Sequence, residues 1–286
     1  MKQVISILLL WIGVLSCQSE DINIYTLHAK DESKAIDGWK LIWSEEFNQE
    51  GPQFDADKWI FEPKGNSPWN KYLTGSTEQA YVQNGRLILR AEKKGGQYMT
   101  GGISTRGKAG FKYGKLEICA KFNSFQGGWP AIWLLPVQRQ YPNPPGANEY
   151  GGEIDIMEMG QENGIINGTS ETYLNTAIHY GTDYESGHRQ EYHADNVPQS
   201  LQDGKYHTYL LEWNENSLTV SIDGTKFYTF DISKVSGRYE YFHHNFYILF
   251  NLAVGGSFTG ITDVNAITAL KDGEKVNMYI DWIKVY

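Results

Sequence analysis

From Trp39 to the C-terminus, apolar and polar residues alternate in short runs broken by Gly, Asn, Asp and Pro. A period of two places successive side chains on opposite faces of an extended strand. Lys40-Leu41-Ile42-Trp43, Gly85-Arg86-Leu87-Ile88-Leu89-Arg90 and Ser217-Leu218-Thr219-Val220-Ser221-Ile222 all read this way. The last run meets Asp223-Gly224 and then Lys226-Phe227-Tyr228-Thr229-Phe230, which predicts a hairpin. The chain closes on another alternating run, Met278 to Tyr286. No long stretch carries a helical period with caps; Ser233 to Gly237 has room for one helical turn. Many short strands with regular turns predict an all-β fold, a sandwich of two sheets. Pro142-Asn143-Pro144-Pro145-Gly146 marks an irregular loop.

The first residues break the pattern. Lys2 precedes an apolar stretch, Val4 to Leu15, that is too short to span a bilayer comfortably. It ends Val14-Leu15-Ser16-Cys17, which resembles the lipobox of bacterial lipoproteins. Gln18-Ser19-Glu20-Asp21 follows, similar to the surface-export signal of Bacteroidota lipoproteins. The expected organisation is a signal peptide over 1–16, a tether over 17–37 and one folded domain over 38–286. Cys17 would then carry lipid, anchoring a monomer in the outer membrane with its domain at the cell surface, and the lipid would be its only contact with the membrane. Cys119 is the one other cysteine, so no intramolecular disulfide is expected. It reads as a small buried apolar residue.

Composition narrows the partners. The net charge of -9 makes the chain a poor partner for a phosphate backbone, and no nucleic acid is expected. Aromatics make up 14% of the 286 residues, with 9 Trp and 19 Tyr, more than a core of this size needs. Such a surplus fits flat surfaces that stack on a ligand as well as ordinary strand packing.

The strongest chemical signal is Gly151-Gly152-Glu153-Ile154-Asp155-Ile156-Met157-Glu158-Met159. Glu153 and Asp155 share one face of a strand, but Glu158, five residues from Glu153, falls on the other. A β-bulge near Ile156-Met157 would restore the parity and line three carboxylates on one face. Crowded carboxyls push at least one pKa upward. Retaining glycoside hydrolysis needs that split, with one carboxylate as nucleophile and one carboxylic acid as proton donor, about 5–5.5 Å apart. The middle Asp155 can hydrogen-bond the nucleophile. One strand upstream, Trp129 and Trp133 lie four apart in Gly127-Gly128-Trp129-Pro130-Ala131-Ile132-Trp133, on one face of a regular strand. Tryptophan beside a carboxylate row is how a glycan cleft is built.

With these residues the chain resembles glycoside hydrolase family 16, the laminarinase and lichenase group. Its elements stand in the family's order: Ile42-Trp43-Ser44-Glu45-Glu46-Phe47, Trp129 to Trp133, Glu153 to Glu158, His179, Asn251-Leu252-Ala253-Val254-Gly255-Gly256 and Tyr279 to Tyr286. The resemblance implies a β-jelly-roll sandwich with a concave substrate cleft, retention of configuration and no catalytic cofactor. It implies Glu153 as nucleophile, Asp155 as its assistant and Glu158 as acid/base. It places Trp129, Trp133 and His179 in the cleft, with Trp69 and Asn251 counted as further substrate contacts. It also implies a structural Ca²⁺ held by Glu46, the carbonyl of Gly85 and Asp281.

The implied substrate is a polysaccharide or long glycan. Glucan-cleaving members carry Trp-Pro shortly before the carboxylate strand, where this chain has Asn148-Glu149-Tyr150. They carry Ser-Gly-Arg where it has Thr100-Gly101-Gly102. Gly256 to Ile261 and Ile267-Thr268-Ala269-Leu270 are more similar to Bacteroides endo-β-galactosidases of the same family. These departures favour internal β-1,4-galactosidic bonds in galactose/GlcNAc glycans. The alternative is an endo-β-1,3(4)-glucanase; a remote one is a non-catalytic glycan-binding lipoprotein, which the presence of Glu158 argues against.

Overall fold

The computed structural model describes residues 39–49, 51–137, 152–181, 189–235 and 241–286, together with the short strand Ala35–Ile36. The signal peptide, Cys17, most of the tether and the Asn148-Glu149-Tyr150 departure lie outside the described residues. Ala35–Ile36 pairs with Trp39–Lys40 at the end of the expected tether.

Two antiparallel sheets face each other, as expected of a jelly roll. One contains, in spatial order, Arg189–Asn196, Tyr173–Tyr180, Glu153–Glu158, Gly128–Pro136, Phe246–Val254, Gly102–Ser104 and Ile60–Phe61. The other runs Thr225–Asp231, Ser217–Ile222, His207–Trp213, Gly114–Phe122, Lys275–Val285, Leu87–Lys94 and Ala80–Val82. In this second sheet the alternation appears as burial: along His207–Trp213 every second residue is buried and those between are not. Inward residues of both sheets form the main core, around Trp59, Trp213, Tyr209, Phe122 and Phe250.

Phe246–Val254 is buried at every position. Its even-numbered residues join the main core, while Tyr247 and Leu249 join Ala131 and Trp133 in a second cluster on the opposite face. That second cluster is the floor of the cleft. A sheet with apolar residues on both faces has one face that needs a cover, and Trp69, Leu135 and Val137 supply part of it.

The turn chemistry follows the sequence. Ile222 pairs with Thr225, so Asp223 and Gly224 form a two-residue hairpin loop, both with positive φ (49° and 76°). The helical turn expected near Ser233 is a 3-10 turn over Ile232–Lys234. A five-residue helix, Glu162–Ile166, is too short to show a helical period in sequence. Cys119 departs from expectation: it is half-buried on the outer face of the second sheet, because its strand buries Ile118 and Ala120 instead. Partial burial, then Asp281 and Glu117, push its thiol up to about 11. Among the described residues, no helix is long and apolar enough to cross a membrane.

Candidate active site

The bulge inferred from parity is present. Across Gly128–Pro136, Ile132 faces Met157 while Trp133 faces Asp155, leaving Ile156 unmatched. Across Tyr173–Tyr180, Asp155 faces Ala177 and Glu158 faces Asn175, again one residue over. The extra residue returns Glu158 to the face that carries Glu153 and Asp155. Ile154, Ile156 and Met157 pack into the main core. Gly160 then carries the chain past the neighbouring strand; with φ 89°, a Cβ there would lie 2.0 Å from the Gly128 carbonyl oxygen.

The three carboxyls meet different surroundings. The Glu153 side chain is 20% exposed, and its Oε1 lies 3.7 Å from His179 Nε2. Asp155 is 3% exposed, with Oδ2 3.0 Å from the same nitrogen. Ligand atoms of Glu153, Asp155 and His179 all lie within 4.8 Å of one another. Glu158 is buried and held at both oxygens: Trp129 Nε1 donates to Oε1 at 3.0 Å, and Asn175 Nδ2 donates to Oε2 at 2.7 Å.

Burial sets the charge states. It pushes the Asp155 carboxyl up to about 8. Burial, reinforced by the neighbouring Asp155, also pushes Glu158 up to about 8. His179 and the donors on Trp129 and Asn175 pull Glu158 the other way, which moderates the rise. At neutral pH the buried pair therefore holds protons, while Glu153 keeps contact with water.

Cross-strand register defines where the other expected residues sit. His179 faces Glu153 directly. Trp133 is in the cleft floor, only 5% exposed, and Trp69 packs edge-on against it (centroids 4.9 Å apart, planes at 84°). Trp129 lies half-buried, stacked on Phe258 at 4.7 Å and 15°, so one ring face is already covered. Asn251 corrects the expectation of a substrate contact. It is fully buried, and its Oδ1 accepts a hydrogen bond from Trp133 Nε1 at 2.8 Å, so it orients the tryptophan. Asn175 was missed. The signal was available: in Tyr173–Tyr180 it shares a face with His179, four residues on, as a polar residue in an apolar strand.

At Thr100-Gly101-Gly102, a Cβ on Gly101 would lie 1.9 Å from the Gln79 carbonyl oxygen. A Cβ on Gly102 would lie 3.0 Å from Leu73 Cδ2. Leu73 therefore occupies space beside the cleft where a longer residue at 102 would start.

The expected calcium ligands come from segments that converge at one place. Ile283 pairs with Glu45, Ile280 pairs with Leu87, and the Cβ position of Gly85 is 3.6 Å from Asn48 Oδ1. Glu46 is exposed and free of the core, so oxygen donors are at hand. Arg86 Nε lies 3.5 Å from Asp281 Oδ1 and shares that carboxylate.

A jelly roll whose cleft holds one solvent-touching carboxylate and a buried protonated pair on a single bulged strand defines a class: hydrolases of glycosidic bonds. Residues 68–284 match the profile of Glycosyl hydrolases family 16, and the chain belongs to that family. It is 46% identical to a glycoside hydrolase family 16 endo-glucanase from Bacteroides ovatus, with a TM-score of 0.74, covering 86% of this chain and 100% of that one. It is 32% identical to Glucan endo-1,3-beta-glucosidase A1 of Niallia circulans over 93% of this chain and 40% of the relative. It is 30% identical to a Keratan-sulfate endo-1,4-beta-galactosidase of Sphingobacterium multivorum, over 88% of this chain and 56% of the relative. The chain thus spans less than two thirds of the length of either of these two relatives.

Proposed function

We propose that the chain is a retaining endo-β-glucanase that cuts internal bonds of a mixed-linkage β-1,3/1,4-glucan. The observation that carries the chemistry is the bulged strand, which sets Glu153, Asp155 and Glu158 on one face in unequal surroundings. In the first step the Glu153 carboxylate attacks the anomeric carbon while Glu158 gives its proton to the departing glycosidic oxygen. A glycosyl ester on Glu153 and a Glu158 carboxylate result. In the second step Glu158 takes a proton from water, the hydroxide oxygen attacks the anomeric carbon, and Glu153 leaves as carboxylate. Two inversions give net retention. Trp129 and Asn175 donate to both Glu158 oxygens and so stabilise the carboxylate that forms halfway. Asp155, protonated at neutral pH, has a proton to offer Glu153 as the ester breaks.

The substrate reading rests on the Bacteroides ovatus neighbour of mixed-linkage-glucan context, whose structure holds a G4G4G3G product. The half-buried Trp69, set edge-on against the buried Trp133 in the cleft floor, suits the flat, all-equatorial face of a glucosyl unit. The galactosidic reading is the second one. The keratan-sulfate relative and the Gly102 departure favour it. Product profiles on barley glucan, laminarin and keratan decide between them: release of oligosaccharides from barley glucan alone supports the first, and from keratan alone the second.

Attachment to the outer membrane through Cys17 is part of the same proposal, supported by the Val14-Leu15-Ser16-Cys17 run. Mass spectrometry of the mature N-terminus tests it; an unlipidated N-terminus elsewhere overturns it. A structural Ca²⁺ at Glu46, Gly85 and Asp281 is proposed on the convergence of those segments. Addition of Ca²⁺ to chelator-treated protein should then raise Tm.

A further inference from the structure

Tyr192 stands on the edge strand Arg189–Asn196 and is 61% exposed, the most exposed aromatic ring among the described residues. Its place follows from register. Tyr192 faces Ala177, Ala177 faces Asp155, and Asp155 faces Trp133. Residues paired across neighbouring strands project from the same face, so these four form one row across the cleft. Trp133 lies on one side of Asp155 and Tyr192 on the other, two strands away, about 10 Å at the usual strand spacing. Between them the row holds only Ala177, a small and fully buried side chain.

The ring has no structural duty among the described residues: it makes no hydrogen bond and no contact with another ring. The strand beneath it is nonetheless held. His193, on the opposite face, stacks on Tyr228 at 4.4 Å and 9° and meets Phe227 edge-on. A large amphipathic ring thus projects from a pinned backbone at the edge of the sheet, on the face that carries the carboxylates. Tyrosine presents such a surface with few torsions to freeze on binding.

We propose that Tyr192 is a stacking platform for a sugar residue on the side of the cleavage point opposite Trp133. The inference rests on the glucanase reading and extends it. With Trp69 and Trp133 on one side and Tyr192 on the other, the cleft grips the chain on both sides of the bond to be cut. That arrangement selects internal bonds over chain ends.

The test compares wild type, Tyr192→Ala and Tyr192→Phe on barley mixed-linkage glucan and on a defined mixed-linkage oligosaccharide. Tyr192→Ala should lower kcat/KM on the polysaccharide by about tenfold, chiefly through KM, as expected for one aromatic contact. It should also redistribute the bonds cut in the oligosaccharide, because one subsite has lost its grip. Tyr192→Phe keeps the ring and should retain both rate and cleavage pattern. Equal slowing at every bond with a lowered Tm would mean a structural role and overturn the proposal. Wild-type cleavage of barley glucan with an unchanged Tyr192→Ala variant refutes the platform alone. A wild-type protein that leaves barley glucan intact refutes the glucan reading, and this inference with it.

Discussion

Glu153 and Glu158 are the same residue type on the same face of the same strand, yet the two ends of that strand treat them oppositely. At Glu153 the side chain reaches water and faces His179 across the sheet. At Glu158 the side chain is buried, Asp155 lies close by and adds to the upward push on its pKa, and two N–H donors fix both oxygens. Burial disfavours the ionised form, so the second glutamate keeps its proton near neutrality, while the first keeps contact with water. The bulge at Ile156 makes the contrast possible. Without it Glu158 would point into the apolar core with Ile154 and Ile156.

The comparison breaks most completely at Glu153. Glu153→Gln should abolish hydrolysis while leaving Tm and glycan binding intact, measured by product release and by isothermal titration with an oligosaccharide. Removing Glu158 should cost less. General acid–base help is worth about 10²–10⁴-fold, and Glu158→Gln should lose that much on a natural glycan and little on an aryl glycoside with a good leaving group.

A smaller effect sharpens the account of why Glu158 stays protonated. Its pKa, pushed up to about 8, predicts that kcat/KM falls with a basic limb near that pH. Asn175→Ala removes a donor that favours the carboxylate, so the limb should move upward, by about one pH unit for a hydrogen bond of ordinary charge-assisted strength. A downward move would show that Asn175 does not act on the carboxylate.

The smallest effect is on stability. Asp155 and Glu158 have folded-state values raised from 3.8 and 4.5 to about 8. The native state therefore holds protons that the unfolded chain releases between about pH 4 and pH 8. Their stabilising contribution is complete below the unfolded values and is lost as pH rises through the folded ones. Asp155→Asn should accordingly narrow the fall in Tm between pH 5 and pH 9. A variant whose Tm falls as steeply as wild type would place the burden elsewhere.

Much of this was legible in the chain. Alternating runs marked the strands, Asp223-Gly224 marked its hairpin, and the parity conflict between Glu153 and Glu158 located the bulge. These signals are local, and period two fixes which residues share a face. What stayed hidden depends on pairing between strands distant in sequence. Asn251 does lie on the cleft face, but it is fully buried there and bonded to Trp133 Nε1, a contact across strands that the sequence does not show. Tyr192 is unremarkable in Arg189–Asn196 until the sheet order sets that strand at the edge, two places from Asp155. Cys119 read as core because its neighbours are apolar, but its own parity turns it outward.

The division of labour between the two glutamates is tested most directly by azide rescue of Glu158→Ala, with an aryl glycoside that needs little protonation to leave. The glycosyl ester on Glu153 should still form and then stall, because water has no base. Azide needs no deprotonation, so it should restore turnover and yield a β-glycosyl azide. Glu153→Ala should give an α-azide or no product. Recovery of the β-azide from Glu153→Ala and not from Glu158→Ala would contradict the account and reverse the two roles.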